Sequence, residues 1–204
     1  MNQIAEQRPY KLAEDTKAIY QILVEAVTAI NFIERLEKDD VKNIVERDYF
    51  LSYVRDTNWN LGIIGLYKLY RHTERFCLQN LFRNIQLKKY SHHEKRHDLI
   101  PSKRSKEFKE LRPIINTLVE LRNKLYAHLD DEDVNITRSI KVEDLRCLSE
   151  FARLVLSDIW GVEVYLLSGI DPVLNEFNGY VTAIKKIDKA RLKIMDKKRL
   201  PYKI

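Results

Sequence analysis

From Lys11 to about Glu37, apolar residues return every three or four positions, at Leu12, Ile19, Ile22, Leu23, Ala26, Ile30 and Ile33. A run of that length at the 3.6-residue period is an amphipathic helix, and it commits the chain to packing by helix faces rather than by strand edges. The rest of the chain repeats the signal. A second pattern runs from Val41 through Tyr49, Phe50 and Tyr53 to about Arg71, with Asp39-Asp40 as its expected cap and Thr57–Asn60 as a candidate break. A third spans about Glu74 to Leu87 through Phe76, Leu78, Leu81, Phe82 and Ile85. Another spans about Val142 to Leu167 and stops before Gly169. With only five Gly and five Pro in 204 residues, there is little turn material to support a β fold. The sequence therefore predicts an all-α fold, a bundle of about five to six helices in a single domain over residues 1–204.

One stretch should lie at the centre of that bundle. Trp59, Leu61, Ile63, Ile64, Leu66, Tyr67 and Leu69 place apolar groups around nearly the whole circumference of a helix. Gly62 and Gly65 each cost about 1 kcal/mol against alanine in a helix interior, so their presence predicts close contact with a neighbouring helix.

The chain carries a net charge of +6, and the excess is local. Between Lys88 and Arg112 there are nine Lys or Arg against four acids, and from Lys185 to Ile204 nine against two. The first region loses the apolar period over about 88–105, contains Pro101, and reads as a basic, mobile surface loop. The second forms a basic C-terminal helix at about 180–204. Both are candidate phosphate-contacting surfaces, and both are also what an ordinary solvated face looks like. Cys77 and Cys147 sit inside apolar helical patterns, as small core residues of a chain kept in a reducing compartment do. No basic-plus-apolar signal opens the chain, and no run approaches the roughly 18 apolar residues of a membrane span. A cytoplasmic location, with no membrane partner, is the expectation.

Chemistry concentrates at Leu121-Arg122-Asn123-Lys124-Leu125-Tyr126-Ala127-His128-Leu129-Asp130. Pro113 opens this segment, fitting either the first turn of its helix or a kink in a helix that begins near Lys103. A permanent cation, an amide and an imidazole are what phosphodiester cleavage without a metal needs, to hold the phosphate, orient it and move protons. With Leu121 as zero and 100° per residue, Ile114, Leu118, Leu125 and Leu129 form a stripe between about 20° and 80°. Arg122 then falls near 100° and His128 near −20°, on opposite borders of the stripe. On one ideal helix they do not reach a common phosphate. Either the helix unwinds at Ala127-His128, or a second copy of the helix contributes its own pair across a two-fold axis. The competing reading of His128 is a hydrogen-bonded core or interface histidine.

Arg122-Asn123, Leu125, Ala127-His128 and Asp130 together resemble the R-x(4–6)-H signature of the HEPN superfamily, and look most like its abortive-infection, AbiU-type branch. Five residues separate Arg122 from His128 where many HEPN toxins have four, and the tyrosine that follows the histidine in some relatives is absent. The resemblance implies a helical bundle that dimerises to build a composite, metal-independent endoribonuclease site with no cofactor, in a toxin–antitoxin or phage-defence setting. In that scheme the ribose 2′-OH attacks its own phosphate, which selects RNA over DNA. His128 is the general acid or base, Arg122 clamps the phosphate, and Asn123 orients either partner. Asp130 and Tyr126 are supporting groups, although Asp130 is equally well read as a solvated helix terminus. Lys88, Lys89, Lys95, Arg96 and Lys124 are the expected RNA contacts. An antitoxin or regulatory protein is a further expected partner. The alternative is a non-catalytic helical dimer that binds nucleic acid or a partner protein.

One further motif competes. His93-Glu94-Lys95-Arg96-His97 matches the H-E-x-x-H pattern of zinc peptidases, but its flanks lack an apolar face to seat such a helix, and no third ligand follows closely. No metal site is expected from it.

Overall fold

The computed structural model describes residues 11–91, 94–127, 139–166 and 171–199; side chains at 125–127, 171–174 and 195–199 lie outside that description. Among the described residues there are eight α-helices, one short 3-10 turn and no strand, so the all-α expectation holds, with more helices than the five or six expected.

The centre of the bundle is an antiparallel pair, α1 (Leu12–Leu36) and α3 (Tyr49–Tyr70). Gly62 faces Ile30 and Ala29, while Gly65 faces Ala26 so closely that an added Cβ would lie 2.9 Å from the alanine's own. The two glycines thus serve the close helix approach that the sequence predicts. From α1 the pair buries Ile19, Leu23, Ala26, Ile30 and Ile33, and from α3 Trp59, Ile63, Leu66 and Leu69.

The second predicted pattern does not break at its candidate position. Thr57–Asn60 is uninterrupted helix, because Trp59 is buried with its indole N–H on Glu37 and Asn58 donates back to the Val54 carbonyl. The chain instead turns between α2 (Asp39–Val45) and α3, where the Asp48 carboxylate accepts the Leu51 N–H at 3.0 Å and caps α3. Asp39 and Asp40 fall inside the first turn of α2, where they complement its dipole rather than cap it.

α4 (Leu78–Gln86) begins later than predicted, with buried Cys77 at its N-cap and the sulfur accepting the Asn80 N–H. It ends in a Schellman turn: Lys89 N–H reaches the Asn84 carbonyl, Lys88 N–H reaches Ile85, and Lys88 takes the left-handed φ of 50° that glycine usually fills.

The expected loop over 88–105 is loop only in its first part. A 3-10 turn covers Lys95–Leu99, and α5 (Ile100–Glu110) follows with Pro101 in its first turn. The fully buried groups of α5 are Ile100, Pro101 and Arg104, with Phe108 half-buried against Phe82 and Phe151; a cation in the middle of that face interrupts the apolar period. Arg104, 7% exposed, bonds Asp158 at 2.6 Å and Glu107 at 2.8 Å, and Lys103 adds a 2.7 Å contact to Asp158. α6 (Arg112–Ala127) continues almost directly from α5 through Leu111, with Pro113 in its first turn.

α7 (Val142–Trp160) packs Leu145, Leu148, Phe151, Ala152 and Val155 inward. It stops at Gly161, whose φ of 69° provides the left-handed cap, and not before Gly169 as expected. Cys147 is exposed, which corrects its assignment to the core. α8 (Asp171–Arg199) starts nine residues earlier than the expected basic helix and docks Phe177, Val181 and Ile184 against a small second core of Leu36, Val41, Val45 and Leu51. No helix among the described residues is long and apolar enough to cross a membrane.

Candidate active site

The residues expected to handle a phosphate sit on the last turns of α6, where that helix crosses α3. α6 buries Ile115, Leu118 and Leu121, at 7%, 0% and 3% exposure, while Ile114 is half-buried. The buried sector is therefore turned toward Ile115. Arg122, about 100° from Leu121, falls between Leu118 and Ile115 in projection, inside the sector and not on its border. Its half-buried side chain lies along Tyr67 of α3, with the guanidinium carbon 4.8 Å from the ring centre. Tyr67 is itself only 8% exposed. A guanidinium over a ring face is attracted by the ring's π electrons, while its N–H donors still lie in its own plane. One of them, Nη1, lies 3.4 Å from Oδ1 of the adjoining Asn123. Asn123 and Lys124 are exposed.

His128 and Asp130 lie outside the described residues, as does the side chain of Tyr126; α6 is helical through Ala127. The structure thus brings Arg122 and Asn123 together at one exposed edge, with Tyr67 as a third member. Sequence reasoning placed Tyr67 in the core; only its position beneath the guanidinium gives it a further role.

This geometry lies inside the segment that carries the family relationship. A family model described as AbiU2, of HEPN type, matches residues 46–162, more than half of the chain. The chain belongs to the AbiU2 family of HEPN proteins. No curated protein and no solved structure matches it. The AbiU2 segment takes in α3 through α7 and so includes both Tyr67 and Arg122. It leaves out α1, the helix against which Gly65 packs, and α8.

The other expected RNA contacts of this AbiU2 chain gather at the end of the bundle where α1 begins and α7 ends. Tyr90 donates to Asp15 of α1 at 3.0 Å, and burial pushes the Asp15 carboxyl above its usual range in spite of that bond. Lys88, Lys89 and Lys95 are exposed nearby in sequence. Arg96 is exposed as well; it bonds Glu94 at 2.6 Å, and its guanidinium occupies the space over Gly161 at the C-terminus of α7. A cation there also complements the negative end of the helix.

The same turn dismantles the zinc-peptidase pattern. Glu94 has extended backbone and caps the 3-10 turn; its side chain accepts from the backbone of His97, and its own N–H donates to His97 Nδ1 at 3.2 Å. His97 is buried at 3% exposure, and His93 lies outside the described residues. Glu94 and His97 therefore do not share one face of an α-helix. Among the described residues no group of three or more His, Cys, Asp or Glu is placed to hold a metal ion.

Proposed function

We propose that this AbiU2-family chain is an endoribonuclease of the HEPN type, cleaving RNA through attack of a ribose 2′-OH on the adjacent phosphodiester in a toxin or phage-defence role. The observation that carries the reading is the stacking of Arg122 on Tyr67 beside exposed Asn123, within the segment that defines the family. The ring contact restrains the guanidinium, and a restrained fork is what a bidentate phosphate clamp requires. Arg122 holds the nonbridging oxygens and stabilises the charge that develops on them, Asn123 orients the phosphate, and His128 moves protons near neutral pH. Tyr126 and Asp130 support the imidazole. The protein side chains supply the acid–base and electrostatic chemistry, so cleavage is independent of an added metal. Two copies complete the site, Lys88, Lys89, Lys95 and Lys124 contribute phosphate contacts, and a partner protein restrains the activity in the cytoplasm.

The experiment is cleavage of labelled RNA by wild type and by Arg122→Ala, Arg122→Lys and His128→Ala, with and without chelator. Thermal melting accompanies it, because Arg122 also packs on Tyr67. Loss of one charged donor in such a site costs about 10²- to 10³-fold in rate. Arg122→Lys keeps the charge and loses the fork, so it should remain strongly impaired. Full activity in both alanine variants would sink the catalytic reading and leave Arg122 as a packing residue of a binding protein. Activity lost on chelation would remove the metal-independent mechanism.

A further inference from the structure

Only part of α8 is covered by the bundle. Phe177, Val181 and Ile184 face the second core, and ion pairs from Lys185 to Asp40 and from Arg47 to Asp188, the latter at 2.9 Å, fasten the same stretch. About 100° around the axis from those docked residues runs a different line: Tyr180, Ala183, Ile187, Ala190 and Ile194. All five are exposed, Tyr180 at 43% and Ile187 and Ile194 at 56% each. Their spacing alternates three and four, the a and d positions of a heptad seam. The apolar strip continues onto α3 through Phe50, whose ring meets Tyr180 edge-on at 5.8 Å and is itself 53% exposed.

We propose that this seam docks an acidic amphipathic helix from a partner protein, which pairs with α8 as a two-stranded coiled coil. The charges beside the seam select the partner. Its flanking positions are Ile184, Lys186, Arg191 and Lys193, so every charged flanking group is a cation. Asp188 lies off the flanks and is held by Arg47. A second copy of α8, parallel or antiparallel, would set these cations against one another; glutamates at the equivalent positions of a different helix would pair with them. The two alanines at d let a partner backbone approach closely. Single-stranded RNA would meet the same cations, but it has no use for isoleucines repeating every seven residues, whereas a helix with its own apolar seam does. The seam is separate from Arg122, and the proposal does not depend on cleavage.

The test uses the full chain and two synthetic heptad peptides, both with leucine at a and d, one with glutamate at e and g and the other with lysine. Fluorescence anisotropy should show the glutamate peptide binding at least about tenfold more tightly, a difference of about 1.4 kcal/mol. Ile187→Asp with Ile194→Asp should abolish that binding without lowering the melting temperature. Reversing the flanks with Lys186→Glu, Arg191→Glu and Lys193→Glu should invert the preference toward the lysine peptide, which a merely adhesive surface would not do. Equal binding of the two peptides, or binding unaffected by the aspartates, overturns the proposal. So does a wild-type dimer in sedimentation that the aspartates convert to monomer, which would assign the seam to a second copy. An RNA oligonucleotide displaced by the aspartates in the absence of peptide binding would assign it to nucleic acid.

Discussion

The α1–α3 and α5–α7 contacts are both inter-helix joints, held by different chemistry. The first is apolar and close, with Gly65 seated on Ala26 and Leu66 and Ile63 fully buried. The second adds to the ring contact of Phe108 with Phe151 a buried arginine, Arg104, which bonds Asp158 across the joint and Glu107 of its own helix. An apolar joint advertises itself as a period in the sequence, because every inward position must be hydrophobic. A polar joint needs only two or three residues of the right charge at the right place, and they look like any exposed charges. That is why α3 is legible and the start of α5 reads as loop.

Perturbing each joint sharpens the contrast. The largest effect is expected at Leu66→Ala, which removes a fully buried side chain from α3 and should cost about 3 kcal/mol in denaturant unfolding, with the same loss at pH 7 and pH 4. A loss that shrinks on acidification would show that the joint is not purely apolar.

Asp158→Asn should cost about 2 kcal/mol at neutral pH by weakening charged hydrogen bonds to Arg104 and Lys103. Burial pushes the Asp158 carboxyl up, but the bonds and charges of Arg104 and Lys103 outweigh it and hold the group below its usual value of 3.8. The stabilisation is therefore complete above that value and disappears as pH falls through the lower folded value. Wild type and Asp158→Asn should converge in stability once pH falls below that lower folded value. A constant gap down to acid pH would show that the carboxylate's charge is irrelevant.

Gly65→Ala tests the close approach directly. Overpacking against Ala26 costs up to about 3 kcal/mol and the better helix propensity returns about 1, so a net loss near 1.5 kcal/mol is expected. A more stable variant would show that α1 and α3 can part at no cost. The smallest effect is expected at Tyr70→Phe. The Tyr70 hydroxyl, buried and pushed well above its usual pKa by that burial, donates to the Leu148 carbonyl of α7 at 2.5 Å. Because the carbonyl belongs to a helix with its own backbone bonds, about 1 kcal/mol should be lost. No change in melting would make this polar contact incidental to the α3–α7 packing.

The candidate site shows the same division. Arg122 and Asn123 stand out in the sequence as candidates because residue types and spacing carry that signal. The angular reading put Arg122 on the border of an apolar stripe, whereas the buried sector centres nearer Leu118 and Ile115 and takes Arg122 in. Nothing in the sequence marks Tyr67 as the ring beneath a guanidinium, since it lies in α3 among many other apolar residues and far from α6 in the chain. The contact of Arg96 with Gly161 is equally illegible, because the two lie far apart in the chain.

By itself, then, the sequence determined the all-helical class, the close helix approach at Gly62 and Gly65, and the family to which the α6 segment points. These are properties of local periodicity and residue type, which short-range stereochemistry dictates. Tertiary structure alone decided where α3 begins, that α5 is a helix, which cations are committed within the fold and which face of α8 stays uncovered. Each of those depends on a partner from a distant part of the chain, and a helix face is buried or exposed only by what packs against it.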